Sequence, residues 1–176
     1  IKSPDHYILS LSDSILDIKK NIKIDSLCQC LTDLDRCGIC NDLKRQQDTY
    51  AELGEYAKKF NVTLAIENLF PFTFDNYAPL PSEIALQLNN INHPNVKCCL
   101  DISHAYINCT YRNAHFIDEI KKMAPLSEHI HMHDSFGLIE RIWAYVPAEY
   151  TSYGQGDLHL PLGWGDIPFE KIFKEI

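Results

Sequence analysis

The sequence predicts an α/β fold with a parallel sheet, in a single domain over residues 1–176. Short apolar runs at 62–66, 96–100 and 128–133 recur about every 30 residues, which is the length of a βαβ unit. The segments between these runs place their apolar side chains at helical spacing. Such an alternation favours parallel strands that are joined by helices.

The first half of the chain predicts two strands and one helix. Residues 7–11 are typical of a short strand, whereas the rest of 1–45 gives no clear pattern. A helix is predicted over 49–60 and stops at Asn61. The β-rich run at 62–66 follows it. The predicted buried face of the helix comprises Tyr50, Leu53, Ala57 and Phe60.

The second half predicts three helices that alternate with two strands. Ser82 can cap a helix that precedes the strand at 96–100. A helix at 116–123 precedes the strand at 128–133, and a last helix begins at Pro168. The apolar faces of these helices comprise Ile84, Leu88 and Ile91; Phe116, Ile120 and Met123; and Phe169, Ile172, Phe173 and Ile176.

Composition and charge restrict the function classes. The chain is 45% hydrophobic and 23% charged, which is ordinary for a soluble globular domain. A net charge of −8 disfavours nucleic acid as a partner, because phosphate contacts need Lys and Arg. No apolar stretch approaches the ~20 residues of a membrane helix. The chain starts at Ile1 rather than Met, and its last helical segment reaches Ile176 without a cap, so we expect a domain truncated at both ends.

The seven cysteines bear on compartment and on metal binding. Their odd number, with no signal peptide visible, favours reduced thiols and a cytoplasmic location. Four of them lie within 13 residues: Cys28, Cys30, Cys37 and Cys40. They are either buried thiols or ligands of a structural Zn²⁺, although a Cys-x-Cys arm is less usual than Cys-x-x-Cys.

Carboxylates and imidazoles follow successive predicted strands. Because the carboxyl ends of parallel strands meet at one edge of a sheet, we expect these side chains to form one site. Their mixture of oxygen and nitrogen donors suits Zn²⁺, Mn²⁺, Co²⁺ or Fe²⁺, with Mg²⁺ as an alternative. The candidates are Glu67 in LAIENL, Asp101 and His104 in LDISH, His131, His133 and Asp134 in HIHMHDSFG, and Asp157 and His159 in GDLHLPLGWGDIPF.

Each candidate also has a purely structural interpretation. Glu67 could form an ion pair in a loop, and Asp101 could cap a helix beside a surface His104. The alternation of strand 128–133 places three imidazoles on one side, either as half-buried polar residues or as ligands. These are His129, His131 and His133.

The glycine-rich segment Gly163-Trp164-Gly165 also has two interpretations. Its glycines permit a turn, which we favour, and they could also present backbone N–H groups to an anion. In a functional site, Trp164 would contact the substrate together with His133 and Asp134.

Taken in this order, the four stretches resemble the xylose-isomerase-like TIM-barrel superfamily. That superfamily includes sugar-phosphate isomerases and epimerases, and the zinc-dependent apurinic-site endonucleases. The resemblance covers about residues 49–176 and implies a (β/α)8 TIM barrel. Because eight strands need ~250 residues, we expect an incomplete, C-terminal portion of the barrel.

The resemblance also implies roles for individual residues. The superfamily's last-strand Glu would lie beyond Ile176, and the early His ligands of the endonucleases would lie before Ile1 or in the N-terminal stretch, where only His6 occurs. Glu67 would also move a proton, and His104 would orient the substrate or bind a second ion. The implied metal ligands are Glu67, Asp101, His104 and His131, with Asp157 and His159 matching an Asp-x-His of the endonuclease branch.

Three functions follow as hypotheses. The first is a metal-dependent isomerase or epimerase that acts on a small carbohydrate through an enediolate. The second is an apurinic-site endonuclease, which the pair Asp157 and His159 favours and the bulky segment 68–72 after Glu67 disfavours. The third is a non-catalytic remnant of the barrel.

Overall fold

The computed structural model describes residues 38–71, 78–139, 146, 149 and 152–176, together with the backbone of 6–10. Four strands form one parallel sheet in the order of the sequence. This confirms the predicted α/β class with a parallel sheet. The strands are β1 (His6–Ser10), β2 (Thr63–Glu67), β3 (Val96–Asp101) and β4 (Ser127–His131).

Helices connect consecutive strands and cover one face of the sheet. The helices are α1 (Gly38–Lys59), α2 (Pro81–Ile91), α3 (Ile102–Arg112), α4 (Phe116–Met123) and α5 (Phe169–Ile172). A short 3-10 turn at Ala124–Leu126 leads from α4 into β4. Among the described residues, no helix is both long and apolar enough to cross a membrane.

The alternation of side chains along β2 and β3 divides the sheet into an apolar face and a functional face. Ile66, Cys98 and Leu100 belong to the hydrophobic core, which lies between the sheet and the helices. Glu67 and Asp101 end their strands on the opposite face, because successive side chains point to opposite sides. The fold thus buries apolar side chains on one face while it presents two carboxylates on the other.

Helix α1 buries a different stripe from the one that the spacing predicts. Tyr50 and Ala57 are buried as expected, but Leu53 is 38% and Phe60 is 62% exposed. The close contact is made through Gly54, where an added Cβ would lie 2.7 Å from the Cγ2 atom of Val96. The buried stripe therefore follows positions i, i+4 and i+7, and the missing side chain at Gly54 lets α1 approach β3.

Helix α2 begins earlier than a cap at Ser82 would place it. Leu80 is the N-cap residue and Pro81 occupies the first helical position, where its fixed φ is favourable. The Leu80 N–H donates to Glu83 Oε2 at 2.6 Å. The Ser82 N–H donates to Glu119 Oε2 of α4 at 2.9 Å. A carboxylate from a neighbouring helix thus satisfies an N–H group that has no partner within α2.

Strand β4 and helix α5 are both shorter than the sequence predicts. The strand ends at His131, so His133 lies beyond the ladder. Phe169 and Ile172 of α5 are buried, whereas Phe173 and Ile176, which lie beyond its end, are about half exposed. The early cysteines Cys28, Cys30 and Cys37 lie outside the described residues, and so does the side chain of Cys40.

Candidate metal centre

Three neighbouring strands end in a potential metal ligand at the same edge of the sheet. Glu67, Asp101 and His131 are the last residues of β2, β3 and β4. Asp101 and His131 are direct partners in the parallel register. One ligand atom from each of the three residues lies within 4.8 Å of the others. The structure therefore brings together three ligands that the sequence places 30 or more positions apart.

Both carboxylates of this group converge on one imidazole nitrogen. Nδ1 of His131 lies 3.0 Å from Glu67 Oε1 and 3.3 Å from Asp101 Oδ2. Asp101 is 1% exposed and Glu67 is 8% exposed, so water screens this negative charge poorly. Two buried carboxylates that face one point are stabilised by a positive charge there, such as that of a metal ion.

The start of helix α3 fixes the position of His104. Asp101 is the N-cap residue, and its Oδ1 accepts the His104 N–H at 2.8 Å. Nδ1 of the same imidazole lies 3.0 Å from the backbone oxygen of Asn68, and its Nε2 lies 3.2 Å from Asp157 Oδ2. Asp101 is therefore both a helix cap and a candidate ligand, so the structural and the functional interpretations of this residue are compatible.

Asn68 is a structural partner of the site that the sequence does not reveal. Its Nδ2 donates to the Asp101 carbonyl oxygen at 2.9 Å, and its Oδ1 accepts the Asp101 N–H at 2.8 Å. The side chain is fully buried and continues the pairing of β2 with β3 by one further residue. Its partner Asp101 lies 33 residues further along the chain, so no local pattern in the sequence indicates the contact.

A second group of potential ligands, His133, Asp157 and His159, adjoins the first. His159 Nε2 lies 2.7 Å from Asp157 Oδ2, and the ring of His133 stacks on that of His159 at 4.0 Å between centroids. His133 Nε2 lies 3.0 Å from Asp101 Oδ2, which links the two groups. Ser103 donates a hydrogen bond to Asp157 Oδ1 at 3.1 Å. Ligand atoms of His133, Asp157 and His159 also lie within 4.8 Å of one another.

The carboxylates and imidazoles shift each other's pKa in opposite directions. Burial lowers the pKa of His104, but its hydrogen bond to Asp157 and the nearby charges outweigh burial and raise it. The pKa of His133 is also raised, because its contacts with Asp101 outweigh burial. Burial raises the pKa of Asp101 and of Asp157, and the imidazole contacts bring both below their ordinary values. Positive charge is thus strongly favoured among these carboxylates.

The donors present fit a divalent metal ion. His133 Nδ1 is buried and makes no hydrogen bond with any described residue, although it lies 3.3 Å from Asp157 Oδ1. A buried ring nitrogen without a hydrogen bond is costly unless it serves as a ligand. Imidazole and carboxylate donors together suit Zn²⁺, Mn²⁺ and Co²⁺. The residues that would hold such an ion are Glu67, Asp101 and His131, with His104, His133, Asp157 and His159 beside them.

The carboxylate of Asp134 is surrounded by backbone N–H groups of its own chain. It is fully buried, and its carboxylate accepts four backbone N–H groups at 2.8–3.2 Å. The donors are Ser135, Gly163, Gly165 and Ile167. The glycine-rich segment does present N–H groups to an anion, and that anion is a carboxylate of the same chain. We therefore propose that Asp134 anchors this loop rather than binding substrate.

The turn at Gly163 and Gly165 depends on both glycines. Gly163 has a φ of +86°, and a Cβ on Gly165 would collide with the Asp134 carboxylate. Trp164 between them is 71% exposed, so the loop presents the indole to solvent. No described contact links Trp164 to the candidate ligands, and its role in substrate binding stays a prediction.

Comparison with known proteins identifies the family. The chain matches the xylose isomerase-like TIM-barrel family over residues 31–176, and it belongs to that family. The described sheet and helices are therefore part of an incomplete (β/α)8 barrel, as the resemblance implied. No curated protein matches the chain in sequence.

Solved structures with the same fold are distant in sequence. A D-tagatose 3-epimerase-like protein aligns with a TM-score of 0.56 and 20% identity, over 82% of this chain and 46% of that protein. A xylose isomerase domain protein from Planctomyces limnophilus aligns with a TM-score of 0.52 and 17% identity, over 76% and 41%. The chain thus spans less than half the length of these structures, and at such identities the likeness shows the fold alone.

Proposed function

We propose that this member of the xylose isomerase-like TIM-barrel family is a divalent-metal-dependent isomerase or epimerase of a small sugar or sugar phosphate. One observation supports the proposal above all others. Glu67, Asp101 and His131 converge at the carboxyl ends of three adjacent strands. By analogy of fold with the D-tagatose 3-epimerase-like protein, a small carbohydrate is the substrate class.

Glu67 is the residue that we propose to move the proton. Its carboxylate is 8% exposed, so it is largely desolvated and still faces the open end of the sheet. It would take a proton from the carbon beside the substrate carbonyl and leave an enediolate. Return of that proton to the neighbouring carbon is isomerisation, whereas delivery from another acid to the opposite face is epimerisation.

The other residues of the site bind and orient. A divalent ion bound at Glu67, Asp101 and His131 would supply Lewis-acid polarisation of the carbonyl and hydroxyl oxygens. His104 is held at both ring nitrogens, by the Asn68 carbonyl and by Asp157, so its orientation is fixed before substrate arrives. Such preorganisation is what proton transfer at a positioned carbon requires.

A second candidate function rests on the second ligand group. His133, Asp157 and His159 offer three further donors next to the first group. Ions held by the two groups would supply an activated water for attack on a phosphodiester. Apurinic-site DNA is therefore the alternative substrate. The net charge of −8 disfavours it, because DNA backbones attract Lys and Arg.

Hydrogen exchange from solvent separates these functions. The full chain is loaded with Mn²⁺, Co²⁺ or Zn²⁺ and incubated with a panel of ketoses and their phosphates in D₂O. We expect deuterium to enter the carbon next to the carbonyl, as followed by NMR. Glu67→Gln should abolish this exchange, whereas Glu128→Gln, an exposed change on β4 outside the ligand groups, should not.

Three other outcomes would contradict the proposed function. Cleavage of apurinic-site DNA without any sugar exchange would replace the first function by the second. A chain that binds divalent metal but does neither reaction would overturn both. A chain that binds no metal at these residues would favour the non-catalytic barrel remnant.

A further inference from the structure

Two further potential ligands, Cys99 and His129, lie next to the group formed by Glu67, Asp101 and His131. Together with His131 they are called the thiol tier below. Cys99 precedes Asp101 by two residues on β3, and His129 precedes His131 by two residues on β4. Because side chains two apart share a face of a strand, Cys99 and His129 lie on the same face as Asp101 and His131. Cys99 and His129 are also direct partners in the parallel register.

The atoms of this tier are close enough to share one ion. Ligand atoms of Cys99, His129 and His131 all lie within 4.8 Å of one another. The rings of His129 and His131 meet edge to face, with 5.1 Å between centroids. Cys99 is fully buried, whereas both imidazoles are only partly buried. The thiol thus lies at the buried end of the thiol tier, and the imidazoles lie nearer to solvent.

His129 differs from the other imidazoles that the structure describes. The side chains of His93, His104, His115, His131, His133 and His159 each lie within 4.0 Å of a carboxylate. The His129 side chain has no such partner among the described residues, and neither its side chain nor that of Cys99 makes a hydrogen bond there. Its nitrogens are therefore available to an ion without the loss of an existing contact.

We propose that Cys99, His129 and His131 form a site for a thiophilic divalent ion such as Zn²⁺. Thiolate and imidazole donors favour Zn²⁺ over Mn²⁺ or Mg²⁺, which prefer carboxylate oxygens. Three protein ligands leave a fourth position open. The site shares His131 with the proposed sugar chemistry, but it needs neither Glu67 nor Asp101.

Binding requires the Cys99 thiol to lose its proton to solvent. A coordinated ion deprotonates a thiol outright. No oxidant or reductant is needed, and one proton leaves for each ion that binds.

His131 belongs both to the thiol tier and to the group with Glu67 and Asp101, so metal binding at one site affects metal binding at the other. Its Nδ1 already faces Glu67 and Asp101. When His131 binds an ion beside Cys99, the same ring nitrogen cannot also bind an ion at Glu67 and Asp101. Zn²⁺ in the thiol tier should therefore weaken Mn²⁺ binding at the carboxylates, and this coupling must be reciprocal.

Cobalt absorption tests the thiol site directly. The full chain is titrated with Co²⁺ after Cys28, Cys30, Cys37 and Cys40 are replaced by Ser, which removes thiols outside the described side chains. We expect a near-ultraviolet thiolate-to-cobalt charge-transfer band that saturates with one ion. Cys99→Ala should remove this band. Cys98→Ala is the matched control, because Cys98 is equally buried but belongs to the hydrophobic core.

Two further variants keep the result interpretable. His129→Gln alters a partly exposed side chain and should weaken the Co²⁺ affinity that the band reports by at least about tenfold. Glu67→Gln should leave the band in place, which separates this site from the proposed function. The proposal is overturned if the parent chain shows no band, or if the band survives unchanged in Cys99→Ala or in His129→Gln.

Discussion

Asp101 and Asp134 are two buried aspartates at neighbouring strand ends, and their surroundings differ completely. Asp101 ends β3 and is 1% exposed, while Asp134 lies three residues beyond β4 and is fully buried. Oδ2 of Asp101 lies within 3.7 Å of three imidazoles: His104, His131 and His133. Among the described residues, only backbone N–H groups donate hydrogen bonds to the Asp134 carboxylate.

This difference shows that burial alone does not identify a metal ligand. The side-chain partners of Asp101 are imidazoles, whose ring nitrogens can bind a metal ion in place of a proton. The partners of Asp134 are peptide N–H groups, which cannot leave. The same residue type at the same edge of the sheet is thus a candidate ligand in one place and a loop anchor in the other.

Asp101→Asn should have the largest effect on metal binding. The amide cannot offer the second anionic oxygen that faces His131 and His133, so affinity should fall by more than about 100-fold, beyond the 10–100-fold typical of outer partners. Asn remains a good N-cap, so α3 should keep its start. Titration calorimetry with Mn²⁺ or Co²⁺ measures the affinity, and thermal unfolding checks the fold.

Asp118→Asn is the control for this change. Asp118 also pairs with a histidine, His115, at 3.0 Å, but both side chains are mostly exposed. Exposed pairs contribute little, so metal affinity and stability should both stay near those of the parent. Equal affinity in the Asp101 variant and the Asp118 variant would remove Asp101 from the ligand set.

Asp134→Ala should reverse the pattern, with a large loss of stability and a small effect on metal binding. It leaves Ser135, Gly163, Gly165 and Ile167 without their acceptor, and we expect the free energy of unfolding to fall by about 2–4 kcal/mol. Chemical denaturation measures that loss. Asp166→Asn, an exposed change in the same loop, should be nearly neutral. A stable Asp134 variant that cannot bind metal would contradict the anchor role.

The sequence predicts one side of this comparison better than the other. The candidate ligands Glu67, Asp101 and His131 can be selected from the sequence as residues at strand ends, because parallel strands bring their carboxyl ends to one edge. The role of Asp134 needs contacts with residues about 30 positions away, and no local pattern reports them. Asn68 was missed for the same reason, since its partner lies 33 residues further on.

Helix α1 shows a similar limit within the fold itself. The spacing correctly predicts a helix and the burial of Tyr50 and Ala57, yet it selects Leu53 over Gly54 for the buried face. Apolar character cannot reveal a contact that depends on a missing side chain. How closely a helix approaches a sheet depends on the side chains of both elements, so it cannot be predicted from the sequence of either element alone.

The smallest predicted effect is a pH dependence that Asp157 brings to the metal-free protein. The raised pKa values of His104 and His133 contribute stability that is present below about pH 6.5 and is lost as pH rises through the folded values. The lowered pKa values of Asp101 and Asp157 contribute stability that is present above about pH 4 and is lost as pH falls. The network should therefore stabilise most between these limits.

Asp157→Asn isolates this contribution in the presence of a chelator. Near pH 5.5 the variant should be less stable than the parent by about 1 kcal/mol, the scale of one pKa unit. The difference should shrink toward pH 9, where the imidazoles are neutral. Denaturation at both pH values measures it. An equal difference at both would mean that Asp157 acts through uncharged contacts such as Ser103, and that its partners hold no exchangeable proton for a metal ion to replace.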